Sequence, residues 1–272
     1  MKVALAQFSP VPGDVKGNVA RMTAFAADAA RAGARAVLFP EMSDTGYAPS
    51  HFAAKAAAWD GAPFVALQDA ARRHRLAVFA GLSEKDGTRI YNSLAAIGPD
   101  GTLLARYRKT HLFPLEPNSE PRHFTAGDAL ALFPFEGMTW GLGICYDLRF
   151  PEWSRALMLR GAEALVNVAA WPVARAAHWE IFACARAAEN QTWFLGVNQV
   201  GVVEGIPQAG RSCVVNPRGE IVALASPDRE ELILAEISFE AVRDVRTALP
   251  VRASRRPGLY AELVRPDAEA KD

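Results

Sequence analysis

Cysteine is scarce in this 272-residue sequence, and its three cysteines, Cys145, Cys184 and Cys213, are far apart along the chain. An odd, scattered set gives no disulfide framework, which is typical of a protein in a reducing compartment. The sequence also has no Cys-x-x-Cys pair and no clustered Cys/His ligands, so it lacks the usual zinc and redox motifs. We therefore expect neither a metal nor a cofactor.

Charge of one sign and long apolar runs are missing as well. Lysine plus arginine (30) balances aspartate plus glutamate (30), so no overall field favours nucleic acid or an anionic membrane as a partner. The apolar run at residues 1–8 meets Pro10 and Pro12 before it reaches the length of a signal peptide, and no segment approaches the ~20 apolar residues of a membrane span. These absences predict a cytoplasmic protein.

Strand-like and helix-like segments alternate along most of the chain. Helices are predicted from Asp14 to Gly33 and over residues 63–74, 153–160 and 179–189, and turn signals such as residues 98–101 add hairpins. About a dozen strands are too many for one ordinary open sheet, so we expect an α/β fold of two stacked mixed sheets with helices outside. No linker divides residues 1–272, which predicts a single domain with an extended C-terminal arm from about residue 253.

Cys145 is the leading candidate for a nucleophile. It ends the apolar, glycine-containing run at residues 140–144 and precedes the polar residues 146–149, a pattern typical of a strand-to-loop corner. Such a corner offers room for attack and free backbone N–H groups for a developing oxyanion. Cys184 lies in an alanine-rich helical stretch and Cys213 in a strand-like one, so both are interpreted as core residues.

Two further polar residues also follow strand-like runs. Glu41 follows residues 36–40 and can act as a general base, and Lys109 follows residues 103–108 and supplies a cation. Sites in α/β sheets are built at strand ends, so these two side chains can converge on Cys145. A Cys–His hydrolase is the alternative, but none of the five histidines lies in a motif that indicates one.

The sequence resembles the nitrilase superfamily of carbon–nitrogen hydrolases. Three segments match its signature motifs in the family's order: residues 39–41 (Phe-Pro-Glu), 108–113 (Arg-Lys-Thr-His-Leu-Phe) and 143–152, which include Cys145. The resemblance continues through residues 178–180, 185–191 and 214–220, so it covers nearly the whole chain.

The resemblance implies a four-layer α-β-β-α sandwich that pairs into a homodimer, with Glu41, Lys109 and Cys145 as a catalytic triad. It also implies a second glutamate near the thiol, for which Glu120 is our choice and Glu116 an alternative. In this mechanism Cys145 attacks a carboxamide, ammonia leaves, and water hydrolyses the thioester.

The substrate implied is a small amide. Residues 145–150 and 167–172 are most similar to the omega-amidase branch, whose enzymes cleave the terminal amide of 2-oxoglutaramate and 2-oxosuccinamate. These substrates carry a distal carboxylate, for which a guanidinium is the best partner. Arg175 is our choice, while Arg149 is the rival and is expected to pair with Asp147. The positions expected to line the pocket are Tyr47, Phe113, Tyr146 and Trp171.

Other functions remain open on the same fold. Another amidase of the superfamily would act on deaminated glutathione or an N-carbamoyl compound, and a true nitrilase is a further possibility. A member without activity would serve as an interaction module, but Glu41, Lys109 and Cys145 are all present. Ammonia release from amides, ureido acids and nitriles separates these alternatives.

Overall fold

The computed structural model describes residues 1–116 and 118–261. Within them the α-helices are α1 (Val15–Arg31), α2 (Phe52–Lys55), α3 (Ala62–His74), α4 (Pro151–Leu159), α5 (Ala176–Asn190) and α6 (Phe239–Ala248). The strands are β1 (Lys2–Gln7), β2 (Ala36–Phe39), β3 (Ala77–Asp86), β4 (Arg89–Ile97), β5 (Leu103–Arg108), β6 (Leu132–Phe135), β7 (Met138–Ile144), β8 (Ala164–Ala169), β9 (Trp193–Asn198), β10 (Val200–Val203), β11 (Ile206–Ala209), β12 (Cys213–Val215), β13 (Ile221–Leu224) and β14 (Glu231–Glu236).

The strands form two six-stranded mixed sheets. The first has the order β14-β1-β2-β3-β4-β5, and the second has the order β13-β12-β9-β8-β7-β6. Each sheet has three parallel strands at its centre, β1, β2 and β3 in the first and β7, β8 and β9 in the second, with antiparallel strands outside them. Parallel strands end at the same edge, so the segments after β2 and β7 each leave the carboxyl edge of a parallel core.

Alternation of side chains along the strands produces the layers. Val3 and Leu5 of β1 join the core between the sheets, which also contains Leu142 and Val166 of the second sheet. The intervening residues of β1 point to the opposite face, where a second core is formed with α1 and α3. Helices α4 and α5 cover the outer face of the second sheet, so the predicted four-layer α-β-β-α sandwich is confirmed.

Local sequence explains how two of the helices begin and pack. Asp14 caps α1 as predicted, because its Oδ1 accepts a hydrogen bond from the Gly17 N–H at 3.0 Å. Gly143 lets α4 approach β7, since a Cβ at this position would lie 2.1 Å from Cζ2 of Trp153. The glycines before Cys145 therefore bring the helix that follows the nucleophile close to its strand.

Some elements differ from the sequence prediction. The hairpin of β10 and β11 and the helix α6 were not predicted, and β3 extends to Asp86 instead of ending near Ala80. Residues 253–261 of the predicted C-terminal arm include a short 3-10 helix at Pro257–Leu259, and residues 262–272 lie outside the described residues. Among the helices that the structure describes, none is both long and apolar enough to cross a membrane.

Candidate active site

Cys145 lies at a sharp corner between β7 and a short 3-10 helix, Cys145–Arg149. Its φ is +45°, a left-handed conformation that is rare and strained for a residue with a side chain. The residue is only 8% exposed, yet it lines a mainly apolar cavity. The corner predicted from the sequence therefore presents the thiol to an enclosed space.

Asp147 holds this corner in place from behind. Its Oδ2 accepts hydrogen bonds at 2.8 Å from the Ile144 N–H and from the Tyr107 hydroxyl. Its Oδ1 accepts from the His111 N–H at 3.1 Å and lies 2.7 Å from His111 Nδ1. Asp147 is fully buried, so it joins the cysteine corner of the second sheet to the segment that follows Lys109 in the first.

The expected pair between Arg149 and Asp147 is wrong. Within the described residues Arg149 forms no ion pair with Asp147; its guanidinium carbon lies 4.7 Å from the centroid of the Trp171 ring. Residues two apart on a 3-10 helix point in different directions, so closeness in sequence did not bring the two side chains together.

Glu41, Lys109 and Glu120 form one buried cluster at the strand ends. Lys109 Nζ donates to Glu41 Oε1 at 2.8 Å and to Glu120 Oε1 at 2.9 Å, and it lies 2.8 Å from Glu120 Oε2. All three side chains have no exposed area. Glu120 Oε2 also accepts from the Phe113 N–H at 2.6 Å, which fixes the carboxylate beside Lys109. Glu116 is instead half exposed and pairs with Arg122, so Glu120 is the second glutamate of the cluster.

The neighbouring carboxylates keep the lysine of this cluster protonated. Burial lowers the pKa of Lys109, but the neighbouring Glu120 and Glu41 more than offset this effect, so its net pKa is raised and it remains a cation. Burial raises the pKa of Glu120, and Lys109 opposes that rise. Two carboxylates around one ammonium make a dense, water-excluded charge centre.

The Cys145 thiol is adjacent to this charge centre. Burial and the charge of Glu41 raise its pKa well above the usual range, while Lys109 acts in the opposite direction. The Ala170 N–H donates to Glu41 Oε2 at 2.8 Å and also lowers the pKa of Cys145 by a hydrogen bond towards its sulfur. The thiol is therefore protonated at rest and must lose its proton as it attacks, which requires a base at its side.

The cavity in front of the thiol has a volume of about 260 Å³ and is mainly apolar. The structure places all five residues that were predicted to bind substrate in its wall, together with Cys145 and Arg149. They are Tyr47, Phe113, Tyr146, Trp171 and Arg175. A cavity of this size suits a small molecule.

Two guanidinium groups lie in the wall of this cavity. Arg149 packs on Trp171, and the guanidinium carbon of Arg175 lies 5.5 Å from the centroid of the Phe113 ring. Burial lowers the pKa of Arg149, and the positive charge of Arg175 contributes to this. In the part of the chain that the structure describes, neither arginine has a carboxylate partner, so this part of the cavity wall suits an anion.

Sequence reasoning missed three contributors. Asn92, in the middle of β4, donates to both Glu41 and Glu120; Asp147 secures the cysteine corner; and the backbone of Ala170 bridges base and thiol. The signal for Asn92 was a fully buried polar residue in an apolar strand, a type that needs partners. Across the described residues, no group of three His, Cys, Asp or Glu side chains could hold a metal ion.

Comparison with known proteins gives a consistent result. The sequence pattern of the family described as Carbon-nitrogen hydrolase matches residues 2–247. The human protein named omega-amidase NIT2 is 34% identical over 269 residues, which cover 96% of each chain. The protein of Arabidopsis thaliana named omega-amidase, chloroplastic, is 32% identical over 271 residues, which cover 95% of this chain and 73% of the plant protein.

A solved structure agrees with the fold. It is a mutant of the amidase from Nesterenkonia sp. AN1 in which acrylamide has added to the active-site cysteine. That chain is 27% identical, with a TM-score of 0.82 over 93% of this chain and 99% of its own length.

Proposed function

This chain belongs to the carbon–nitrogen hydrolase family, and we propose that it hydrolyses the terminal carboxamide of a small omega-amido acid to a carboxylate and ammonia. The 2-oxoglutaramate and 2-oxosuccinamate type is the proposed substrate class. The name of the human relative, omega-amidase, supports this choice at 34% identity.

One observation carries the proposal. The Glu41 carboxylate and the Cys145 sulfur share the Ala170 N–H as a neighbour, and Lys109 lies 2.8 Å from the same carboxylate. A base, a cation and a protonated thiol thus lie together at the wall of one small cavity, which is what amide cleavage through a thioester requires.

In the first half-reaction Cys145 Sγ attacks the carboxamide carbon while Glu41 takes the thiol proton. The carbonyl oxygen becomes an oxyanion, for which Lys109 and the backbone N–H of Tyr146 are the donors. An ammonium has three N–H groups, so Lys109 can bond both carboxylates and still direct one N–H at the oxyanion. The carbon–nitrogen bond then breaks, and Glu41 returns its proton to the departing nitrogen, which leaves as ammonia.

In the second half-reaction water hydrolyses the thioester. Glu41 takes a proton from water, the oxygen attacks the acyl carbon, and the tetrahedral intermediate collapses with Cys145 as leaving group. The sulfur recovers its proton from Glu41, and the product leaves as a carboxylic acid that ionises in water. Glu120 keeps Lys109 oriented throughout, since it accepts a second hydrogen bond from the ammonium that also donates to Glu41.

The distal carboxylate of the substrate binds the cationic wall of the cavity. Arg175 remains the proposed partner. Arg149 lies close enough to it that the charge of Arg175 lowers the pKa of Arg149. The apolar surfaces of Phe113 and Trp171 carry the two guanidinium groups and contact the chain between carboxylate and amide.

The test is ammonia release from a panel of purified compounds. 2-Oxoglutaramate and 2-oxosuccinamate should be turned over with a kcat/KM at least tenfold above that of N-carbamoyl amino acids, deaminated glutathione and aliphatic nitriles. A preference for any of the latter would assign a different amidase or nitrilase activity to the same site. No turnover of any of them would favour an interaction module.

A homodimer is also part of the proposal, and α5 supports it. Its outer face carries a row of apolar residues at helical spacing, of which Ile181 is 60% exposed. The row is Ala177, Ile181, Cys184, Ala185 and Ala188. A row of this kind on a surface helix is typical of a helix that packs against a partner.

The cytoplasm is the proposed compartment. The three cysteines are free thiols, which is consistent with a reducing environment. The plant relative is named chloroplastic, so cell fractionation is the deciding experiment. Recovery of the protein with an organelle would contradict the proposal.

A further inference from the structure

Asn92 and Lys109 bridge the same two carboxylate oxygens. Asn92 Nδ2 donates to Glu41 Oε1 at 2.6 Å and to Glu120 Oε1 at 2.9 Å. Lys109 Nζ donates to these two oxygens at 2.8 Å and 2.9 Å. Asn92 is fully buried in β4, and its own backbone carbonyl accepts from the Lys109 N–H at 2.8 Å. The amide therefore occupies a fixed position between the two acids.

This arrangement makes the two oxygens of Glu41 unequal. Oε1 accepts two hydrogen bonds, one of them from an ammonium, and a carboxylate oxygen has two lone-pair sites for such bonds. Within the described residues Oε2 accepts a single hydrogen bond, from the Ala170 N–H at 2.8 Å, and the same backbone group acts on the Cys145 thiol by lowering its pKa. The free lone pair of Glu41 is thus on the oxygen that shares a neighbour with the thiol.

We propose that Asn92 is a positioning residue for the base: it saturates Glu41 Oε1, so that Oε2 is the atom that receives the thiol proton, and it keeps the Glu41–Glu120 pair ionised. This goes beyond the proposed function and rests on its assignment of Glu41 as base. Hydrogen bonds to the ionised form of an acid favour that form. Loss of the Asn92 donor therefore raises the proton affinity of the pair.

Among the residues that the structure describes, four titratable groups face Glu41. They are Lys109, Glu120, Cys145 and Tyr47, whose pKa is raised by burial and by the charges of Glu120 and Glu41. Lys109 and Tyr47 keep their protons over the neutral range, because the pKa of each is raised. The fall of Cys145 reactivity at low pH, the acid limb of its pH–rate profile, is therefore assigned to protonation of the Glu41–Glu120 pair.

Alkylation of Cys145 by iodoacetamide tests the proposal without any amide turnover. The sulfur displaces iodide, a carbon–sulfur bond forms, the carbon–iodine bond breaks, and the thiol proton passes to Glu41. The rate is followed from pH 4 to 9 by mass spectrometry of the peptide that contains Cys145, which separates it from the peptides of Cys184 and Cys213. In Asn92→Leu the acid limb should move up by about one pH unit, so the rate at a fixed pH on that limb should fall roughly tenfold.

Gln199 supplies the matched control. It is also a fully buried amide that donates one hydrogen bond to Glu41, but to the backbone carbonyl, at 2.7 Å. Gln199→Leu should leave the position of the acid limb unchanged, whatever its effect on the rate. If Asn92→Leu does not fold, Asn92→Asp replaces it in the test, because it keeps the size of the side chain. Its acid limb should move up further, since a third carboxylate raises the proton affinity of the other two.

Two results would overturn the proposal. One is an acid limb at the wild-type pH in the folded Asn92 variant, and the other is an equal shift in Gln199→Leu. If the limb shifts as expected but no carboxamide is hydrolysed, the role of Asn92 stands and the proposed function fails. The two ideas can therefore be judged separately.

Discussion

His111 Nδ1 lies 2.7 Å from Asp147 Oδ1, and this contact joins the two sheets behind the nucleophile. His111 follows Lys109 by two residues, and Asp147 follows Cys145 by two, so the pair sets the distance between the cation and the thiol. The His111 ring also stacks on Phe150, with 3.8 Å between ring centroids. The corner that carries Cys145 is therefore fixed from two directions.

Asp147→Asn should impair the reaction more than binding. The Asn amide has one acceptor oxygen where Asp147 has two. Either the Ile144 N–H and the Tyr107 hydroxyl, or the donors of His111, therefore lose their acceptor. We expect a fall in kcat of about 10- to 100-fold with KM within about twofold, because a small displacement of a nucleophile costs rate. Steady-state kinetics measures both values.

Asp86→Asn is the control for this variant. Asp86 is mostly exposed and pairs with Arg108 at 2.7 Å, away from the cysteine corner. Its kcat should match that of the wild type. Equal losses in the two variants would show that Asp147 has no special role in positioning Cys145.

Much of the site was predictable because its residues obey a local rule. Glu41, Lys109 and Cys145 follow the ends of β2, β5 and β7 within two residues, and strand ends of stacked α/β sheets lie near one another. Asn92 follows no such rule: it lies within β4, and its partners Glu41 and Glu120 are far from it in sequence. Only the three-dimensional register of β4 and β5 brings it beside Lys109.

The fold likewise contains strands that could be predicted from the sequence and strands that could not. Strands with apolar runs, such as β2 and most of β8, were predictable, because burial on both faces leaves a strong sequence signal. The hairpin of β10 and β11 was missed, since its two strands are short and its exposed residues include Val202. Its stability comes from contacts outside it: Ala209 N–H donates to the Trp171 carbonyl, and Gly210 N–H to the Gln199 carbonyl.

Loss of the cationic wall should weaken binding of acidic substrates alone. Arg175→Met keeps much of the side chain's apolar length but removes the charge, and we expect KM for 2-oxoglutaramate to rise about 10- to 100-fold. KM for butyramide, which has no carboxylate, should change less than twofold. Arg149→Met, measured in the same way, determines which arginine binds the carboxylate, and equal effects on both substrates in both variants would contradict a carboxylate site.

Asp44 should make stability depend on pH. Burial raises the pKa of Asp44 from 3.8 to about 7 in the folded protein, although hydrogen bonds from the backbone of Ser83 and Thr45 act in the opposite direction. A raised carboxyl pKa means that the folded state binds the proton more tightly. The stabilising contribution is therefore complete below pH 3.8 and is lost as the pH rises to about 7.

Urea unfolding at pH 5, 6, 7 and 8 measures this effect. Between pH 5 and 7 the free energy of unfolding of the wild type should fall, relative to Asp44→Asn, by roughly 2 to 3 kcal/mol. Above pH 8 the difference should be constant. Parallel curves for the two proteins across the whole range would mean that Asp44 titrates at its ordinary pKa.

Ile181→Arg should convert a dimer to a monomer. A charge in the middle of the apolar row on α5 would be buried without a partner at an interface, which costs several kcal/mol. Light scattering after gel filtration gives the mass. Val222→Arg, at a half-exposed apolar residue of β13, is the control and should remain dimeric. A monomeric wild type, or an Ile181→Arg variant that still dimerises, would refute this surface.

The most direct measurement of the central claim is mass spectrometry of the protein quenched with acid within seconds of mixing with 2-oxoglutaramate. A substrate-derived acyl group should appear on the peptide that contains Cys145, it should disappear as the substrate is used up, and it should be absent from Cys145→Ala. Ammonia release by Cys145→Ala at the wild-type rate, or an acyl group on the peptide of Cys184 or Cys213 instead, would contradict the account.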